Sequence, residues 1–123
     1  MFDASVLENG PTSKAFLEFV AGLKSKIDTA QPSATHDFLQ MLHTQTRLLR
    51  SYTQNIDGLE ERVGLKSSAL GDFDTCKIIQ LHGDLHHLKC HLCSTMYKWD
   101  QEHTGFYVQG QAPPCPDCYM RSM

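Results

Sequence analysis

LHGDLHHLKCHLC, residues 81–93, and CPDC, residues 115–118, decide how this chain is read. They hold two CxxC pairs, Cys90/Cys93 and Cys115/Cys118, with 21 residues between them. A CxxC turn presents two thiolates to one side, and two such turns complete a tetrahedron of sulfurs. Zinc accepts that set because it is borderline-soft and satisfied by four ligands. Four protein ligands leave no open position, so the expected metal is one structural Zn2+ per chain. The gap slightly exceeds the commonest ribbon spacing. Two disulfides, free thiols, or three cysteines with His87 or His91 are the competing arrangements. Cys76, the fifth cysteine, reads as a small buried hydrophobe.

The composition is that of a globular protein: 123 residues, 41% hydrophobic and 20% charged. Eleven Lys and Arg stand against fourteen Asp and Glu, giving a net charge of −3. That balance argues against a direct grip on nucleic acid, which needs clustered basic residues. No apolar run is long enough to cross a membrane. The opening MFDASVLENG has neither the basic nor the apolar region of a secretory signal. These features point to the reducing nucleus or cytosol, where paired cysteines bind metal more often than they form disulfides.

Upstream of the cysteines the pattern is α/β. Residues 11–28 place Phe16, Phe19, Val20, Leu23 and Ile27 on one helical face, after start signals at Pro11 and Thr12/Ser13. A second helix is expected from Pro32 or Ser33 to Thr44–Thr46, burying Phe38, Leu39 and Leu42. RLLRSYT (47–53) and KIIQLHG (77–83) read as buried strands. Between them, Asp57 and Glu60 have capping-box spacing, and Gly64 can close a short helix in the left-handed conformation. Residues 65–75, with Gly71, read as a loop. Strand, helix, strand predicts part of a Rossmann-like unit with a parallel sheet, interrupted by a small four-cysteine ribbon module. The boundary is expected at 88/89: residues 1–88 form the incomplete nucleotide-binding portion and 89–123 the zinc module. Ligands of such sheets sit beyond the carboxyl ends of the strands, where Gln54–Asp57 and His82–His87 fall.

TQNIDGLEERVGL (53–65), LHGDLHHLKCHLC and CPDC, in this order, resemble the sirtuin family of NAD-dependent protein-lysine deacylases. PSATHDFLQML (32–42) is similar to the helix that precedes the family's TQNID strand. MFDAS and the helix after it look most like the fungal nuclear branch that deacetylates histones. The resemblance spans the chain but only the middle of the family's fold. The glycine-rich GAGxS segment that cradles NAD phosphates is not in this sequence, and the rest of the sheet would follow Met123. A truncated fragment, inactive or nearly so by itself, is therefore the expectation.

The resemblance implies roles for particular residues. Gln54, Asn55, Ile56 and Asp57 match positions lining the nicotinamide and ribose pocket. Asn and Asp there offer the donor and acceptor that a carboxamide needs. His82 matches the catalytic base. After the acetyl oxygen of the substrate lysine attacks the ribose and nicotinamide leaves, this base activates a ribose hydroxyl, giving free lysine and O-acetyl-ADP-ribose. An imidazole is suited to it, because a histidine of ordinary pKa, about 6.5, is largely neutral at cellular pH. Read without the family, Asp57 fits a helix cap, Asn55 a turn, and a histidine in LHG fits packing equally well. His86 and His87 match no catalytic position and read as surface or packing residues. The implied partners are NAD+ and an acetyl-lysine protein, a histone, in the nucleus or alternatively the cytoplasm. Two rivals remain: a non-enzymatic zinc-ribbon interaction module, and a redox protein using CxxC as a thiol pair.

Overall fold

Strands β1 (Ser51–Thr53) and β2 (Ile78–Gln80) pair in parallel in the computed structural model, with Ser51 opposite Ile78 and Thr53 opposite Gln80. The structure describes residues 10–68 and 73–122. The MFDAS segment and Gly71 lie outside those residues. β1 is far shorter than RLLRSYT, for a reason visible in its hydrogen bonds. The Arg47 and Leu48 N–H groups both donate to the Leu42 carbonyl, which ties them to the end of helix α2 (Ala34–Thr44). Only from Ser51, whose N–H donates to Lys77, is the backbone free to pair with its neighbour. Leu48 is buried, but Leu49 is 86% exposed, so the run is not uniformly interior.

Leu48, Leu65 and Ile78 form the core of this unit, with Leu39, Leu42 and Val63 packed against it. Phe38 does not join them and is 53% exposed. It sits at the margin of the Leu39–Leu42 stripe, one helical step away from the side that meets the core. The stretch read as a loop is also partly structured. Leu65 is fully buried, Ser67 bridges Ile78 in parallel, and the Ser68 N–H donates to the Ile78 carbonyl. Residues 66–68 lie along β2, where the Ile78 N–H donates to the Lys66 carbonyl and the Gln80 N–H to the Ser68 hydroxyl, each at 3.1 Å. Helix α3 (Leu59–Arg62) starts differently from a capping box. Gly58, at φ +64°, occupies the cap, and the Asp57 carboxylate accepts the Leu59 N–H at 3.1 Å. Gly64 ends the helix in the left-handed conformation, φ +87°.

Two compact units result, one of residues 29–86 and one joining residues 10–28 to 87–122. The second break lies between His86 and His87, and helix α1 (Gly10–Thr29) groups with the cysteine segment up to Asp28. Its buried stripe is Leu17, Val20, Ala21, Lys24 and Ile27, turned about one position from the face read from sequence, so that Phe19 is 57% exposed. The stem of Lys24 is buried. Its ammonium pairs with Asp28 and stands 6.0 Å from the centre of the Trp99 ring. Gly110 packs so closely on Lys14 that a Cβ there would meet the lysine side chain. The cysteine segment contributes the antiparallel pair β3 (His87–Lys89) and β4 (Met96–Lys98), then helices α4 (Gln101–Val108) and α5 (Pro116–Ser122).

Gly58 is doubly constrained, by its positive φ and by the His86 ring, whose Cδ2 would lie 2.8 Å from an added Cβ. Gly58→Ala is expected to lower unfolding free energy by about 1–3 kcal/mol, read as a shifted urea midpoint at unchanged slope.

Candidate functional site

The hairpin between β3 and β4 shapes the first cysteine pair. The Ser94 N–H donates to the Cys90 carbonyl at 2.9 Å, and Ser94 takes a left-handed φ of +61°, folding the chain back. The Cys90 N–H donates to the Thr95 carbonyl at 2.9 Å. The second pair is set by α5, which starts directly after Cys115 and carries Cys118 on its first turn. The two pairs meet. Cys90 Sγ lies 3.8 Å from Cys118 Sγ, and Cys93 Sγ 3.6 Å from Cys115 Sγ, with all four sulfurs within 4.8 Å of one another. A tetrahedron with metal–sulfur bonds of about 2.3 Å has edges of about 3.8 Å. The spacing therefore fits a structural zinc. It does not fit disulfides, which need sulfurs about 2.05 Å apart, and all five cysteines are free. Neither His87 nor His91 belongs to the cluster. The first CxxC lies in an antiparallel hairpin, not in the βαβ setting of a thioredoxin-like thiol pair. Cys76 is buried, as a small hydrophobe should be.

Without a cation, four thiols this close cannot all ionise. Hydrogen bonding to Thr95, through its side chain and then its backbone, lowers Cys93 to about 6. Cys118 is pushed up to about 12, first by its hydrogen bond to Cys93 and then by burial. One thiolate thus forms at the expense of its neighbours, and a divalent cation removes the conflict. Thr95 itself is oriented by donating to Asp117 at 2.7 Å. Neither residue was singled out in the sequence; their adjacency to the CxxC pairs was the available signal.

In the other unit, the two polar clusters are joined by hydrogen bonds. At the carboxyl ends of the paired strands, the Leu81 N–H donates to the Thr53 carbonyl at 3.0 Å. The Leu85 N–H donates to the Ile56 carbonyl at 3.0 Å, and His86 Nε2 lies 2.8 Å from the Asp57 carbonyl. His86, read as a packing residue, is thus the clasp that fixes the Asp57 loop, and its own N–H is held by Asp84 at 2.7 Å. Gln54, Asn55 and His82 are exposed, while Ile56 and Asp57 are half-buried. The Asn55 N–H donates to the Thr53 hydroxyl at 3.0 Å.

Of the four residues assigned to the nicotinamide side, Asn55 lines a cavity of about 290 Å³, together with His36 and Glu60. Glu60 is only 5% exposed, and ligand atoms of His36, Asp57 and Glu60 lie within 4.8 Å of one another. From sequence, His36 falls within the second helix with no role of its own and Glu60 within a capping-box pattern, and neither points to a cavity. Gln80, the last residue of β2, keeps a buried amide oxygen with no partner among the described residues. An unused acceptor at the carboxyl end of a parallel sheet suits a ligand with N–H or O–H donors.

Comparisons with known proteins bear on the family and the fold. A family profile described as "Sir2 family" matches residues 1–122. The "NAD-dependent histone deacetylase HST3" of Saccharomyces cerevisiae is 36% identical over 126 residues, covering 96% of this chain and 28% of that protein. The "NAD-dependent protein deacetylase hst4" of Emericella nidulans is 32% identical, covering 98% of this chain and 20% of that protein. A solved structure of Sir2Af2 bound to a myristoylated histone peptide superposes with a TM-score of 0.60 at 28% identity, over 94% of this chain and 43% of that one. The chain thus spans about a quarter of the length of the curated relatives it matches.

Cys90→Ser is expected to lose the zinc and melt residues 87–122, because metal binding supplies about 10–16 kcal/mol of folding free energy in small zinc modules. Metal content by emission spectroscopy and a thermal melt test this together. Zinc uptake must also displace the protons held on Cys115 and Cys118, whose thiols sit above their ordinary values. Zinc affinity therefore falls as pH drops from 8 to 6, by roughly 10-fold per unit for each proton displaced, in a competition titration with a chromophoric chelator.

Proposed function

The chain belongs to the Sir2 family, and on that premise we propose that it carries the nicotinamide-side residues, the catalytic base and the structural zinc module of an NAD-dependent lysine deacetylase acting on histones. One observation carries the reading. Three hydrogen bonds, Leu81 to Thr53, Leu85 to Ile56 and His86 to Asp57, hold the QNID loop against the HGDLH loop where two parallel strands end. Two loops clasped at that edge form the place where open α/β sheets bind nucleotides.

In this assignment Asn55 and Asp57 fix the carboxamide of nicotinamide through an amide and a carboxylate, Ile56 packs on the ring, and Gln54 meets a ribose hydroxyl. NAD+ supplies the ribose carbon to which the acyl oxygen is transferred. The task of His82 is to remove a proton from a ribose hydroxyl at an unprotonated ring nitrogen. Its exposed position just past β2 leaves the ring free of hydrogen bonds to described residues and open to a bound ligand. The four-cysteine cluster leaves no open metal position for chemistry and serves folding. The curated relatives' names include histone deacetylases, which supports an acetylated histone as substrate and the nucleus as the place of action. No helix among the described residues is long and apolar enough to cross a membrane.

In the enzyme that contains these residues, His82→Ala is expected to reduce NAD-dependent deacetylation of an acetylated histone peptide by about 10²–10⁴-fold at unchanged melting temperature. Retained turnover assigns the base to another group.

A further inference from the structure

We propose that the cavity beside α4 in the cysteine-bearing unit binds the methylated ammonium group of a lysine side chain. The cavity measures about 400 Å³, within the range of ligand pockets, and Tyr97, Phe106 and Tyr119 contribute aromatic rings to its wall. Aromatic faces attract cations through their quadrupole, most strongly when the cation sheds little water to reach them. Two carboxylates, Asp100 and Glu102, share the same wall. Asp100 caps α4 by accepting the His103 N–H at 3.0 Å, which holds its carboxyl below the usual carboxylate range and keeps it charged.

The remaining charges fit the same sign. Cys115 also lines the cavity, and four thiolates around one divalent cation would make that cluster net negative when zinc is bound. The fixed positive charge in the wall is Lys98, which is exposed. His103 is engaged, its Nδ1 receiving the Asp100 N–H at 3.2 Å and its ring 5.2 Å from that of Tyr97.

An unmodified ammonium is compact and strongly hydrated, and an aromatic face returns none of the water it sheds, so the three rings favour a weakly hydrated head over a bare ammonium. Methylation weakens that hydration and enlarges the head to match the rings. Tyr119 is 59% exposed, so the cavity opens to solvent on its side and admits a side chain carried on a peptide. A lysine-bearing basic peptide also complements a chain of net charge −3.

The test uses the zinc-loaded chain in calorimetry and proton NMR with four probes: a trimethyllysine peptide, its neutral tert-butyl isostere, the unmodified peptide and free choline. The trimethyllysine peptide is expected to bind roughly 10-fold more tightly than the isostere or the unmodified form, with its N-methyl resonance moved upfield by the rings. Tyr119→Leu and Glu102→Gln, both at exposed positions, should each weaken that binding at unchanged zinc content. Equal affinity for the isostere, no upfield shift, or wild-type affinity in both variants overturns the assignment. Choline binding as tightly as the peptide overturns the peptide as its source.

Discussion

Four sulfurs at the edge lengths of a metal tetrahedron set the terms for everything from β3 to α5. That stretch has two three-residue strands and two short helices, too little regular structure to hold itself together by backbone pairing alone. Its thiols are in mutual conflict, one drawn down toward 6 and another driven up to about 12. A divalent cation turns this repulsive cluster into the strongest local attraction in the unit. The Thr95–Asp117 contact and the left-handed turn at Ser94 add no comparable energy; they aim the sulfurs.

The sheet-bearing unit is organised by a different device. Two parallel strands of three residues bury little by themselves, and parallel pairing is normally covered on both faces. Here the pairing is extended beyond the strands by the Leu81, Leu85 and His86 hydrogen bonds, so that what the sheet lacks in length is recovered in the loops at its carboxyl edge. Order is thereby concentrated where a ligand would sit. Gly58 belongs to the same arrangement, since only a residue without a side chain lets His86 reach the Asp57 carbonyl.

The cysteine cluster was legible because a spacing of two residues between ligands translates almost directly into geometry. The parallel pair was legible in kind, from apolar runs ended by polar clusters, but not in length. What ended β1 was a competing acceptor, the Leu42 carbonyl, and nothing in RLLRSYT itself encodes that competition. The face of α1 was misread by about one residue for a similar reason. Periodicity could not show that Lys24 would bury its stem toward Trp99 while Phe19 stayed outside. His36 and Glu60 were invisible as cavity residues because their meeting depends on how α2 and α3 lie across β1, a tertiary fact.

The grouping of α1 with residues 87–122 has a consequence for the order of events on the ribosome. Residues 29–86 form a unit of their own and separate α1 from the segment it packs against. At roughly 5–20 residues per second, the apolar stripe of α1 emerges on the order of 3–12 s before that segment has been synthesised. During that interval Leu17, Val20 and Ile27 are in need of a temporary cover, and the intervening unit has time to fold first.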